Sequence, residues 1–418
     1  MKKYLITCLA ASLIMLVGHD KNVAQIGPSS IGSKEQTTNS AYPDFITASR
    51  NLDIPYLTKT AANDDQFKYA HALELLFNRQ SDAAEGVLLD IVSNSTDAAI
   101  RNESRLLLET LYLAEGKWSQ VLAIHPKPEN KTDIYYSHAK AWNSSPPTEY
   151  LFPHQAVKVP LRFMGSGQPL VEVVIQGKSY WFILDSGAQF SVISKKVAEA
   201  SAVHAIQVEG IDPKATFSNP GVVATMEIDR GVIKNVPVMI MDSRNLEVSG
   251  LFTRATIQGI IGWPQLKNLR LEFDPVQHTV RISQSDRRTA EDSNFFFYFR
   301  PLVKVSATNG ISLFLWCDTG SGNTALFPRG ASKTGIEPTT KGFTGTSTIK
   351  PMGGTTIQRT RVLKQSGFSV GGYFVRFNEM LVEKAASPFF DGRMGMDICA
   401  SNTLVIDYPK GYVQIQPP

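Results

Sequence analysis

Two short segments of this chain repeat each other at a fixed offset, and that repeat constrains the fold more than any other feature. The apolar run Trp181-Phe182-Ile183-Leu184 leads into Asp185-Ser186-Gly187-Ala188, and Leu313-Phe314-Leu315-Trp316-Cys317 leads into Asp318-Thr319-Gly320-Ser321. The offset between the two aspartates is 133 (318 − 185). An Asp-Ser/Thr-Gly triplet arises by chance in roughly one chain in five of this size, and a lone copy reads as an ordinary turn. The same offset also carries Gly177 to Gly310, Gly262 to Gly395, Asp274 to Asp407 and Ile282 to Ile415. Chance does not align that many landmarks, so the chain contains a tandem duplication. From Tyr150 onward it reads as short apolar runs bounded by Gly, Pro, Asn and Asp, which is an all-β pattern. The expected fold is mainly β, with tandem lobes at 150–289 and 290–418.

Duplicated lobes related by a pseudo-twofold axis bring equivalent residues face to face, so Asp185 and Asp318 are the candidate catalytic pair. Two carboxylates in contact cannot both ionise easily and therefore hold one proton between them. The charged member can then take a proton from water while the neutral member donates one to a carbonyl oxygen. Gly187 and Gly320 let the backbone turn tightly beside each carboxylate, and the hydroxyls of Ser186 and Thr319 are placed to bond across to the facing turn. One chain supplies both aspartates, so no dimer is needed to form the site.

Other chemistries lack a signal. The seven His are dispersed without a metal-ligand spacing, and no Gly-x-Ser-x-Gly elbow is present. Lys and Arg are scattered, with a net charge of only +4, which gives no expectation of a nucleic-acid partner. Neither a metal nor an organic cofactor is expected.

At these residues the sequence resembles the pepsin/retropepsin superfamily of aspartic peptidases, in particular bacterial forms with two retropepsin-like (acid protease) lobes in one chain. The resemblance rests on the paired Asp-Ser/Thr-Gly motifs and on a hydroxyl six positions after each aspartate, at Ser191 and Thr324. It includes a later element reading Ile260-Ile261-Gly262 in the first lobe and Arg393-Met394-Gly395-Met396-Asp397 in the second. The closing run Leu404-Val405-Ile406-Asp407-Tyr408-Pro409 also matches. The resemblance implies an aspartic endopeptidase that binds an extended peptide or protein substrate between its lobes, favouring mildly acidic conditions. It implies a hairpin flap in each lobe, for which Asn219-Pro220-Gly221 and Met352-Gly353-Gly354 are the candidate tips. Each of these reads equally as a plain surface hairpin. Two departures stand out: Arg393 replaces an apolar residue, and Trp263-Pro264 stands where the second lobe has Met396-Asp397.

The remaining segments yield coarser expectations. Met1-Lys2-Lys3 followed by an apolar run to Val17 predicts a signal peptide over 1–24 and hence export to the periplasm or beyond. Residues 25–62, rich in Ser, Thr, Asn, Gly and Pro, read as a linker. Residues 63–148 show helical spacing, with Asp82 and Glu85 as a capping box and Gly116 ending a helix near Glu115. Val87-Leu88 recurs as Val121-Leu122 at an offset of 34 (121 − 87), which resembles tetratricopeptide hairpins. This helical region is a candidate docking surface for a protein partner, or a plain bundle packed on the lobes. Two further readings of the whole are a non-catalytic peptide-binding module of the same fold and a peptidase regulated by its helical region. Cys317 and Cys399 suit either a disulfide or two core thiols without a bridge.

Overall fold

The computed structural model describes residues 42–125, 134–208, 218–249, 254–285, 293–346, 356–383, 389–399 and 401–417. The expected signal peptide lies outside the described residues.

The two lobes are six-strand barrels. In the first, Gly231–Met241, Ser191–Ser194, Gly259–Ile261, Lys178–Leu184 and Pro169–Ile175 pair in that order, and Ser218–Ile228 closes the ring by pairing with both ends. In the second, Arg300–Ala307, Ser312–Cys317, Gly392–Met394, Ala325–Leu326, Tyr373–Val382 and Thr356–Val370 close the same way. The expected architecture is therefore present: two tandem six-strand lobes, mainly β, behind an N-terminal helical region.

Side-chain alternation explains which strands face water. Pro169–Ile175 buries Val171, Val173 and Ile175 and turns Glu172 outward, the period-2 pattern of a strand with one wet face. The strand entering the first aspartate loses that alternation: Phe182, Ile183 and Leu184 are all buried, because the strand passes between its parallel partner Gly259–Ile261 and its antiparallel partner Pro169–Ile175.

A third sheet joins the lobes. Its order is Val157–Pro160, Thr279–Gln284, Leu269–Asp274, Thr403–Asp407, Tyr412–Gln416, so each lobe contributes a closing hairpin. The seam is antiparallel, with Leu271 opposite Ile406 and Arg270 opposite Asp407, and the Arg270 guanidinium reaches the buried Asp407 carboxylate at 3.2 Å. This sheet fixes the relative placement of the two aspartate turns.

The helical region begins earlier than the sequence pattern suggests. Residues 45–60, expected as linker, form two helices, Phe45–Arg50 and Ile54–Thr60, capped by Asp44 and Asp53. Ala48 and Leu57 are fully buried, so this segment is part of the packed structure. The expected capping box is also replaced: the helix Ser81–Asn94 follows Gln80 without a side-chain cap, and Glu85 instead holds the Tyr112 hydroxyl and Lys117. Gly116 adopts φ +71 and ends the helix Ala98–Glu115, a left-handed position that glycine tolerates without strain.

These helices do not form a separate core. Leu73, Leu76, Leu107 and Trp142 share one apolar cluster with Ile183, Phe190 and Ile260 of the first lobe and Phe296, Trp316 and Phe390 of the second. Arg79 clamps the junction, donating to the carbonyls of Phe295, Tyr408 and Pro409 at 3.1, 3.0 and 3.0 Å. The aromatic run at 295–299 is the strand Phe295–Tyr298 with its neighbour, and Phe296 stacks edge-on against Phe77 of the helices at 4.2 Å.

Candidate active site

Each aspartate leaves its strand at an equivalent point. The Asp185 amide donates to Ile261 O and the Asp318 amide to Met394 O, both at 3.0 Å, so the parallel strand from the later Gly element pins each turn from behind. On the far side, Trp263 N donates to Ala188 O and Met396 N to Ser321 O, both at 2.8 Å.

The turns then grip each other across the lobe interface. Ser186 N donates to Thr319 Oγ1 at 2.9 Å, and Thr319 N donates to Ser186 Oγ at 3.0 Å. Each hydroxyl passes its own proton to the opposite strand: Ser186 Oγ to Cys317 O and Thr319 Oγ1 to Leu184 O, both at 2.7 Å. All four bonds are fully buried, where satisfied polar networks rigidify a unique arrangement. The grip leaves no room for a side chain at either glycine: a Cβ on Gly187 would strike the Asp318 carboxyl, and one on Gly320 the Asp185 carboxyl.

Asp185 and Asp318 are both fully buried and lie in contact. Asp185 Oδ1 accepts from the amides of Gly187 and Ala188 at 2.8 and 3.0 Å. Among the described residues, no hydrogen-bond donor serves Asp185 Oδ2 or either oxygen of Asp318. Two carboxylates offer only acceptors, so these facing oxygens are satisfied when one proton lies between them. Burial, and then the neighbouring Asp318 charge, push the Asp185 carboxyl well above the ordinary range. Burial also raises Asp318, but the Arg393 guanidinium opposes it and the result is about 6. The arrangement is suited to hold one proton and one charge between two rigid carboxyls.

The other candidate supports are placed unequally. Ser191 and Thr324 receive the amides of Gly262 and Gly395 at 2.9 and 3.0 Å, an equivalent bond in each lobe. Their own hydroxyls go to different partners: Ser191 to Gln265, and Thr324 to Asp397 at 2.6 Å. Gln265 therefore performs in the first lobe what Asp397 performs in the second, one position out of register. Pro264 at the equivalent site carries no such acceptor, which is why the repeat alignment passes over Gln265.

Asp397 is 2.7 Å from the Thr324 amide as well, yet burial lifts its carboxyl to about 6. Its folded-state value lies above the ordinary 3.8, so its contribution to stability is fully present below about pH 4 and is lost as pH rises through 6. A shift of this size corresponds to about 3 kcal/mol. Asp397→Asn keeps the acceptor and removes the charge. Thermal unfolding of both proteins between pH 4 and 7.5 should show the variant gaining on the wild type by about 2–3 kcal/mol with rising pH. A gap that does not change with pH would remove this assignment.

The flap expectations change. Asn219, Pro220 and Gly221 are not a hairpin tip: they begin the strand Ser218–Ile228 and pair with Ile240, Met239 and Val238. Gly221 O also accepts from Trp142 Nε1 at 3.0 Å, under the helix Ile134–Trp142. The true turn of that hairpin is Asp229-Arg230, and its counterpart in the second lobe is Gly371-Gly372, an offset of 142 (371 − 229) in place of 133. The offset thus drifts between the aspartate and the later Gly, then returns. Met352, Gly353 and Gly354 lie outside the described residues, between the paired strands Thr339–Thr346 and Thr356–Val370.

Cys317 and Cys399 are two buried core thiols, not a disulfide. Cys399 Sγ donates to Met396 O at 2.9 Å, and burial pushes the Cys317 thiol up to about 12. Cys317 is therefore not a reactive thiolate. Alkylation of native protein should leave Cys317 and Cys399 unmodified and label both after unfolding, as read by peptide mass mapping.

Three groups near the pair carry no motif. Arg300 is buried over the Trp316 ring at 5.6 Å and reaches Gly187 O at 3.4 Å. Glu383 pairs with Arg393 at 2.8 Å. Tyr135, on the helix Ile134–Trp142, donates to Gln189 Oε1 at 3.1 Å, four positions beyond Asp185. Only long-range packing brings them here.

Residues 171–264 match the family model for aspartyl protease. No curated protein matches the chain. Among solved structures, a retropepsin-like aspartic protease from Rickettsia conorii is similar at 12% identity over 32% of this chain and 92% of that one, with a TM-score of 0.21.

Proposed function

We propose that this chain is an aspartic-type endopeptidase in which Asp185 and Asp318 activate a water against a peptide bond held between the lobes. The observation that carries this reading is the reciprocal Ser186–Thr319 grip, which holds two buried carboxyls in contact; a single proton shared between them is what their raised titration supports. The charged carboxylate takes a proton from the water as its oxygen adds to the carbonyl carbon. The neutral carboxyl gives its proton to the carbonyl oxygen. Collapse of the resulting gem-diol breaks the C–N bond, with the proton passed to the leaving amine, so the products are one carboxylic acid and one amine. The protein's own groups supply every proton transfer in this scheme.

The pH window follows from the pair. Activity rises as the charged member forms, near pH 6 for Asp318, and falls where Asp185 loses its proton. That places the acid limb higher than a strongly acidic optimum would. Peptide recognition through backbone pairing suits a site built from strands. The signal-like N-terminus supports export as the setting.

The helical region bears on access. Both carboxyls have no solvent exposure, and the helix Ile134–Trp142 lies against the rim of the first lobe through Gln189, Phe190 and Gly221. Substrate entry therefore requires movement around the site, which favours control by the helices over the plain-bundle reading. Cleavage of a denatured protein mixture, with and without a peptide carrying a hydroxyl in place of the scissile carbonyl, tests the activity. Cleavage blocked by the mimic supports the reading. Cleavage indifferent to the mimic, or none at any pH between 4 and 8, sinks it.

A further inference from the structure

The two halves of the carboxyl pair have different surroundings, although the repeat would make them alike. Asp185 is served by two backbone amides at one oxygen. Asp318 has no donor on either oxygen among the described residues, and instead Arg393 Nε stands 3.9 Å from its Oδ2. Arg393 is 2% exposed, on the strand Gly392–Met394, and its Nη2 is anchored by Glu383 at 2.8 Å. The position equivalent to Arg393 in the first lobe is Ile260, which is buried and apolar. The asymmetry is thus built by one substitution between the repeats.

We propose that Arg393, braced by Glu383, is a positioning residue that keeps the negative charge of the pair on Asp318 and leaves the shared proton on Asp185. This rests on the peptidase reading for its consequence: Asp318 becomes the base that takes the water proton, and Asp185 the acid that donates to the carbonyl oxygen.

Among the charged groups facing the pair, Arg393 is the leading source of this bias. Arg300, on the strand Arg300–Ala307, lies in electrostatic reach of both carboxyls, acts more on Asp318 than on Asp185, and adds to the bias behind Arg393. The amides of Gly187 and Ala188 bond Asp185 at Oδ1, an oxygen that remains an acceptor when Oδ2 carries the proton, so these bonds survive protonation. Glu383 repels the Asp318 charge but is farther along the Arg393 fork, since the guanidinium lies between the two carboxylates. Asp397 also feels Arg393, yet is occupied by Thr324. An anionic Asp318 without the arginine would be a buried charge with no donor, which is costly.

The test compares wild type with Arg393→Leu, Arg393→Lys and the double variant Arg393→Leu/Glu383→Leu, which avoids stranding an unpaired buried carboxylate. Two readouts are taken: the pH dependence of kcat/KM on a denatured protein substrate, and the carboxyl carbon-13 titration of protein labelled at aspartate, assigned with Asp185→Asn and Asp318→Asn. Expected in the variants lacking the arginine are a rise of one pH unit or more in the acid limb, and therefore an activity loss of about tenfold or more on that limb. The Asp318 carbon should titrate correspondingly higher, and Arg393→Lys should lie close to wild type. An acid limb and an Asp318 titration both unmoved in the double variant would overturn the proposal. If the wild-type protein hydrolyses nothing, the peptidase reading fails while the carbon titration still decides where the charge resides. A wild-type Asp185 that ionises before Asp318 overturns the assignment outright.

Discussion

Asp185→Asn and Asp318→Asn each reduce peptide hydrolysis by about 10³-fold or more while leaving the protein folded. General acid–base action by a positioned group contributes roughly 10²–10⁴-fold, and here each carboxyl performs one of the two proton transfers of the addition step. An amide cannot accept the water proton, nor donate a proton as a carboxyl does. Asparagine nevertheless fits the site: Asp318→Asn removes the buried charge of the pair, and Asp185→Asn exchanges a neutral carboxyl for a neutral amide of the same shape. Thermal stability at neutral pH should therefore hold or rise in the variants. That separates lost chemistry from lost structure, because a variant that is inactive merely through unfolding would melt early. Hydrolysis retained within a few-fold in either variant removes the pair from the mechanism, whatever the fold resembles.

Gly320→Ala gives the second large effect, through geometry rather than charge. The added methyl would occupy the space of the Asp185 carboxyl, across the lobe interface. The carboxyl cannot move aside easily, because its Oδ1 is held by the Gly187 and Ala188 amides. Either the pair separates or the grip between Ser186 and Thr319 opens. A displacement of about 1 Å in a catalytic group costs on the order of 10²-fold in rate, and overpacking of this kind costs about 1–3 kcal/mol in stability. Gly187→Ala should behave alike, since its methyl meets the Asp318 carboxyl. The control is Gly86→Ala in the helix Ser81–Asn94, where nothing lies within 4 Å, and where alanine should stabilise by up to about 1 kcal/mol. Parallel melting curves and cleavage rates decide the matter: a Gly320→Ala protein with normal rate and stability would mean that the two turns are not packed as described.

Much of the second lobe can be read from the first because the repeat preserves period and spacing together. The buried strand before each aspartate and the supporting hydroxyls at Ser191 and Thr324 follow from local pattern carried across by the fixed offset. The same transfer misleads where the lobes have drifted. Equating Asn219 with Met352 assumes a constant offset, but the first lobe turns its hairpin at Asp229-Arg230 and the second at Gly371-Gly372. Pro220 and Gly221 have turn-forming character, yet in the structure they start a paired strand, because pairing with Val238 and Met239 and the bond from Trp142 outweigh their local preference. The helices at 45–60 were hidden for a similar reason: at six and seven residues they are too short to show a helical period, and they are held by burial of Ala48 and Leu57 against the rest of the molecule.

Counting along the chain is enough to place the two aspartates at equivalent positions of a duplicated β unit, since a repeated motif with repeated spacing needs no third dimension to be seen. It is also enough to mark Arg393 as out of character. What surrounds the pair is invisible to such counting. Glu383 behind Arg393, Arg300 over Trp316, Gln265 standing in for an aspartate and Tyr135 at the rim come from strands and helices far apart in the chain. Their effects depend on distance and burial, which set how strongly one charge acts on another. The identity of the pair is thus a property of the repeat, and the unequal sharing of its proton is a property of the packing.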